Sequence, residues 1–171
     1  MTRSTAHLRA ILPIAPEVAD HLERIGLPEV LFGGRFRLDD DLQVVRRPDG
    51  SPLLRLGVVM LATLLCVDPR TGRVVEIWNE SWSSQARVDE LPWRETFTNS
   101  TLAQFVQTAC EVVERLPYYH RDSELAERHR VAQELGAIID SIDPPAMAVG
   151  LLWSTFVDDV AIGDFAAEDL E

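Results

Sequence analysis

The sequence predicts an α+β fold: a single domain in which a largely antiparallel sheet has helices packed against it. Two observations carry this. Up to Asn99 the apolar residues fall in short, β-branched and aromatic runs separated by turn residues. From Leu102 onward they recur at steps of three and four, which is one face of a helix. The chain has 171 residues, 46% of them hydrophobic, enough to bury one core without disulfide or metal staples. The globular body is expected over residues 1–165, with 166–171 as an acidic C-terminal tail that frays.

The first element is a helix opening at Pro16, a favourable first helical position. Val18, Leu22 and Ile25 lie on one face before Gly26 ends it. Val30 to Leu38 reads as extended chain bent or bulged at Gly33-Gly34, followed by Asp39-Asp40-Asp41 as an acidic turn. Leu42 to Arg47 alternates as an exposed strand, and Pro48-Asp49-Gly50-Ser51-Pro52 closes a hairpin. Leu53 to Val67 is too long and too apolar for one half-exposed strand, so one or two strands are expected, the later part buried on both faces. Asp68-Pro69-Arg70-Thr71-Gly72 has proline and glycine placed for a tight turn into a strand at Arg73 to Trp78. Asn79 to Pro92 has no period and reads as a loop or frayed helix.

Thr96-Phe97-Thr98 suits a short strand, and Asn99-Ser100-Thr101 offers side-chain oxygens to the unpaired amides of a first helical turn. Leu102, Phe105, Val106, Ala109, Val112, Val113 and Leu116 then mark the apolar face of the helix around which the domain is expected to be built, with Pro117 stopping it. A second long helix spans Ser123 to Ile142, with Leu125, Ala132, Leu135, Ile138, Ile139 and Ile142 inward, and ends at Asp143-Pro144-Pro145. Met147 to Leu152 reads as a short strand or as the lead into a last helix near Leu151 to Ile162, which Gly163 closes.

Charge narrows the functional classes. There are 28 acidic and 16 basic residues, a net charge of −12, and every basic residue is arginine. The absence of lysine removes the P-loop lysine, Schiff-base chemistry and serine–lysine pairing together. No basic stripe is present for a nucleic acid to follow. The longest nearly apolar run, Leu56 to Val67, is shorter than the roughly 20 residues a bilayer requires. Pro13, Pro16, Glu17 and Asp20 interrupt any signal-peptide core, so the chain reads as cytoplasmic, with no membrane partner. Cys66 and Cys110 are expected to be reduced core thiols. Acid is concentrated late: 9 carboxylates and no basic residue follow Arg130.

No Gly-x-Ser-x-Gly elbow, His-Glu-x-x-His, Cys-x-x-Cys or Gly-x-Gly-x-x-Gly occurs, and no cofactor, metal site or catalytic residue is assigned. His21 and His129 are expected on solvated helix faces. His120, with Tyr118, Tyr119 and Asp122, is the one cluster of titratable groups that could be assembled into a site. A hydrolase-like enzyme using His120 is therefore one alternative, and a non-catalytic scaffold or regulatory module is another.

The preferred reading is a binding surface for a basic partner, formed by the late acids Asp158, Asp159 and Asp164 with Asp39, Asp40 and Asp41. Asp158 and Asp159 fall toward the C-terminus of a helix, where the macrodipole disfavours anions by roughly 0.3–1 kcal/mol each. General solubility is the competing explanation for these acids. Trp82 and Trp93 are candidate interface anchors, with core burial as the competing role.

In their order, "LERIGLP" from Leu22, "CVDPRTGRVVEIW" from Cys66, "FTNSTLAQF" from Phe97 and "LLWSTFVDDVAIGDF" from Leu151 resemble the fourth group of SUKH superfamily bacterial immunity proteins, from about Glu17 to Phe165. The resemblance implies an α+β fold. It also implies a non-enzymatic protein that binds a cognate bacterial toxin, encoded beside it, and neutralises it in the cytoplasm of the producing cell. In such polymorphic toxin systems many toxins are nucleases or nucleotide-modifying enzymes, whose basic surfaces an acidic inhibitor would suit. The resemblance assigns no catalytic residue and does not locate the interface.

Overall fold

The computed structural model describes residues 5–9, 11–27, 30–31, 36–59, 63–78, 94–116 and 118–167. Gly33-Gly34, the Asn79 to Pro92 segment, Trp82, Trp93 and Pro117, for which the sequence carries expectations, lie outside these residues, as does the side chain of Asp40.

Among the described residues six strands form one antiparallel sheet in chain order: β1 (Val30–Leu31), β2 (Phe36–Arg46), β3 (Pro52–Val59), β4 (Thr63–Val67), β5 (Val74–Trp78) and β6 (Arg94–Asn99). The helices are α1 (Ala6–Arg9), α2 (Pro16–Asp20), α3 (Leu102–Glu114), α4 (Leu125–Ile142) and α5 (Leu152–Ile162). One core joins Leu54, Leu65, Val67 and Val74 of the sheet to Phe105, Ala109, Leu135, Ile139, Trp153 and Phe156 of the helices. A smaller apolar cluster, Leu53, Leu64, Cys66, Val75 and Ile77, lies on the opposite face of the sheet. Strands buried on both faces explain why Leu53 to Val67 reads as nearly continuous apolar sequence. It divides into two strands, β3 and β4.

The Asp68–Gly72 turn closes as expected, with the Gly72 N–H donating to the Asp68 carbonyl at 2.9 Å. The acidic run does not form a turn. Asp39-Asp40-Asp41 lies within β2, at a bulge where Asp39 to Leu42 stand opposite the single residue Leu56. The β3–β4 ladder also slips at Leu56, which reverses the inward–outward alternation of β3. Beside it Gly57 passes so close to β2 that a Cβ would stand 2.2 Å from the Arg37 carbonyl oxygen.

The N-terminal helix departs from its expected pattern. After Asp20 it widens into a π-helical turn, His21–Ile25, closed by a bond from the Gly26 N–H to the His21 carbonyl at 2.7 Å. The extra residue in that turn rotates Ile25 outward to 63% exposure, while His21, three residues after Val18 on the regular turn before it, is buried, not solvated. Burial lowers its pKa, against the opposing charge of Asp20. His129 is exposed.

The junction of β6 and α3 carries the main polar contacts of the interior. Thr101 caps α3: its Oγ1 accepts the Gln104 N–H at 3.2 Å and donates to Gln104 Oε1 at 2.8 Å. Asn99 and Ser100, expected as further caps, turn toward Asp143 at the end of α4. Asn99 Nδ2 donates to Asp143 at 2.9 Å, Ser100 N–H at 2.7 Å and Ser100 Oγ at 2.8 Å. Asn99 Oδ1 accepts the indole N–H of Trp153 at 2.7 Å, which ties in α5. Asn99, Asp143 and Trp153 are all buried. Asp143 is therefore a structural residue and no part of an acidic surface.

Other departures are local. Leu125, expected inward, is 60% exposed because α4 begins beyond the core, and its buried residues are Ala132, Leu135 and Ile139. Cys66 is a core thiol, pushed up to about 12 by burial, but Cys110 is on the exposed side of α3. The chain does not fray directly after Phe165: Ala166 is buried, and the Ala167 N–H donates to the Tyr119 carbonyl at 2.9 Å.

Two outcomes test this description. Asp143→Ala strands the Asn99 amide and the Ser100 donors in the interior and is expected to cost about 3 kcal/mol or more in urea unfolding. Gly57→Ala should cost about 2–3 kcal/mol by forcing β2 and β3 apart, read from the same unfolding curves.

Candidate functional site

A recess opens between the helix-facing side of the sheet and α5, with a volume of about 180 Å³. Its sheet side is Val59, Thr63 and Glu76, and its helix side includes Leu151, Phe156, Asp159 and Phe165. Aromatic packing fixes the helix wall. Phe156 packs against Phe165 with tilted rings, centroids 4.7 Å apart, and meets Trp153 edge to face at 6.3 Å. Phe165 has φ of 75°, an uncommon conformation for a bulky residue, and this contact offsets the strain. Gly163, with φ of 114°, ends α5 and lets the chain turn back to place Phe165 there.

Glu76 is the unusual member. Alternation along β5 puts Val75 and Ile77 on the far face and Val74 and Glu76 on the helix-facing side. Its neighbours in register are Leu65 and Thr96. Among the described residues no hydrogen bond or ion pair reaches its carboxylate, and burial raises its pKa from 4.5 to about 7. This residue was not singled out from sequence, although one carboxylate inside the otherwise apolar Val74-Val75-Glu76-Ile77-Trp78 is the signal that could have identified it.

The acids expected to meet a partner are dispersed. Asp158 is exposed on α5, Asp159 lines the cleft, and Asp164 is half-buried just beyond the helix. On the β2 bulge Asp41 is exposed, whereas Asp39 pairs with Arg55 at 2.6 Å. Of the three late acids only Asp159 joins Glu76 in lining the cleft. Val149, on the loop before α5, is 100% exposed.

The His120 cluster is not assembled into a pocket with its neighbours. His120 and Asp122 are exposed, while the Tyr119 hydroxyl lies 2.5 and 2.7 Å from the Val160 and Asp164 carbonyls. The Tyr118 hydroxyl donates to the Val112 carbonyl at 2.9 Å. Both phenols therefore serve the fold. Among the described residues no group of three or more His, Cys, Asp or Glu side chains is placed to hold a metal, and no helix is long and apolar enough to cross a membrane.

A meandering antiparallel sheet, helices covering one face and a recess at their seam define the protein's class as α+β. The chain belongs to the SUKH-4 immunity protein family, which it matches over residues 5–159. No curated protein and no solved structure matches it. Family membership carries an immunity function, with a toxin as the partner.

A carboxyl whose pKa is higher in the folded than in the unfolded chain holds its proton more tightly when folded. For Glu76 the resulting destabilisation is absent well below pH 4.5, grows as pH rises and is complete above about 7. Glu76→Gln should therefore gain stability over the wild type on going from pH 5 to pH 8, by about 2–3 kcal/mol in parallel unfolding curves.

Proposed function

We propose that this protein neutralises a cognate bacterial toxin by stoichiometric binding in the cytoplasm, with no reaction of its own, and that the toxin surface it covers is basic. The observation that carries this reading is the cleft along α5, where Asp159 and Glu76 share the lining with apolar Leu151, Leu152 and Phe156. An apolar centre with a charged rim is the ordinary anatomy of a protein interface. The net charge of −12 favours a cationic partner and speeds encounter with it. A nuclease or a nucleotide-modifying enzyme, whose own substrate is anionic, fits that requirement. The β2 bulge with Asp39, Asp40 and Asp41, and the tryptophans Trp82 and Trp93, are proposed as further contacts.

The toxin encoded beside this gene is the natural test partner. Co-purification should give a complex of fixed stoichiometry that lacks toxin activity. Replacing Asp158 and Asp159 by Asn should slow association about three- to tenfold at low salt and flatten its salt dependence. An unchanged on-rate would reject this face as the acidic docking surface.

A further inference from the structure

We propose that the uncharged run from Pro144 to Leu152, between α4 and α5, is the apolar centre of the toxin-binding surface. Its foremost side chain, Val149, is fitted to a shallow apolar hollow on a basic toxin. The proposal rests on the immunity reading and goes beyond it in placing the contact. The run is nine residues long and has no polar side chain. Pro144, Pro145, Ala148 and Val149 are exposed, Val149 completely, while Leu151 and Leu152 are half-buried. Single exposed apolar side chains such as Ile11 are ordinary, but a continuous exposed run is not. The run adjoins the cleft, to whose lining it contributes Gly150, Leu151 and Leu152.

Its shape is set before any partner arrives. Asp143, in the buried hub, anchors the start, where the Ala146 N–H donates to the Asp143 carbonyl at 2.9 Å. Two consecutive prolines restrict the backbone there. Ala148–Leu151 is a tight turn closed by the Leu151 N–H on the Ala148 carbonyl at 3.1 Å. Gly150, with φ of 80°, is its third residue, as a type II turn requires. The Ser154 hydroxyl, 2.9 and 3.0 Å from the Ala148 and Leu151 carbonyls, ties the turn to α5. The entropy of ordering this backbone is therefore lost on folding and not on binding. Local stability does not account for the residues chosen. Leu151 occupies the N-cap position of α5, where Ser, Thr, Asp or Asn would stabilise the helix, and a wholly exposed Val149 adds nothing to the core.

Charge selects the occupant. Asp140, on the last turn of α4, and Asp158, one turn beyond Ser154 on the same face of α5, are exposed on the two helices that flank the run. Two copies of this chain meeting through the turn would oppose these acids, with a net charge of −12 on each, and like charges across an interface are costly. An anionic membrane surface is disfavoured on the same ground. A toxin with basic side chains around an apolar hollow matches both the run and its flanks.

The probe is the toxin encoded beside this gene, in a catalytically inactive form, immobilised for kinetic binding to the full chain. Val149→Ala should speed dissociation about tenfold, and Val149→Asn more, with the association rate and its salt dependence unchanged. The Asp158 and Asp159 substitutions act on association instead, so the apolar centre and the charged flanks are read separately. Both Val149 variants should keep the wild-type urea midpoint, since the side chain is wholly exposed. Hydrogen exchange over residues 144–152 should slow in the complex. The proposal is overturned if both variants dissociate at the wild-type rate, if the toxin leaves exchange over 144–152 unchanged, or if the chain alone forms a dimer that Val149→Asn dissolves. A wild-type chain that binds its toxin with Val149 indifferent loses this placement and keeps the immunity reading, whereas failure of the wild-type chain to bind the toxin removes both.

Discussion

The architecture depends on one buried polar hub. Asn99, at the last position of β6, joins Asp143 at the end of α4 and Trp153 near the start of α5. Each of these groups would be costly to bury alone, and each satisfies another. Because the three lie on different elements, their mutual satisfaction fixes where α4 and α5 sit on the sheet. Apolar packing alone could tolerate slippage of helices over a surface of Leu and Val, but a directional network with this many partners cannot be met in a shifted register. The cleft inherits its shape from this constraint, since Trp153 holds Phe156, and Phe156 holds Phe165 at the cleft wall.

Much of the fold was legible in the sequence where local chemistry and global structure agree. The Asp68–Gly72 turn, the α3 cap at Thr101 and the stop at Asp143-Pro144 are signals read within a few residues. The α+β class followed from the change of period near Asn99. What was not legible depended on partners far along the chain. Asn99 and Ser100 look like caps, and only the arrival of Asp143 from 44 residues away converts Asn99 into a hub. Asp39-Asp40-Asp41 has the composition of a turn, but pairing on the far side of Leu56 keeps it within a strand. Ile25 leaves its expected face because one π-turn breaks the period that assigned it.

The functional surface was legible as a charge and not as a place. The late excess of acid directed attention to α5, yet Asp143 belongs to the interior and Glu134 is paired with Arg130 at 2.7 Å. The residue that gives the cleft its chemistry, Glu76, sits far earlier, in a strand whose other members are apolar. A single charge breaking an apolar strand is a local inconsistency, and such inconsistencies gather where a protein meets another molecule.

The order of the strands has a consequence for how the chain is made. Each strand pairs with its sequence neighbour, so the ladders can close early, whereas α3, α4 and α5 are contributed by the chain from Leu102 onward. During synthesis the apolar underside of the sheet, with its solitary acid, faces water until those helices emerge from the ribosome. A nascent chain at that stage is the form most exposed to aggregation.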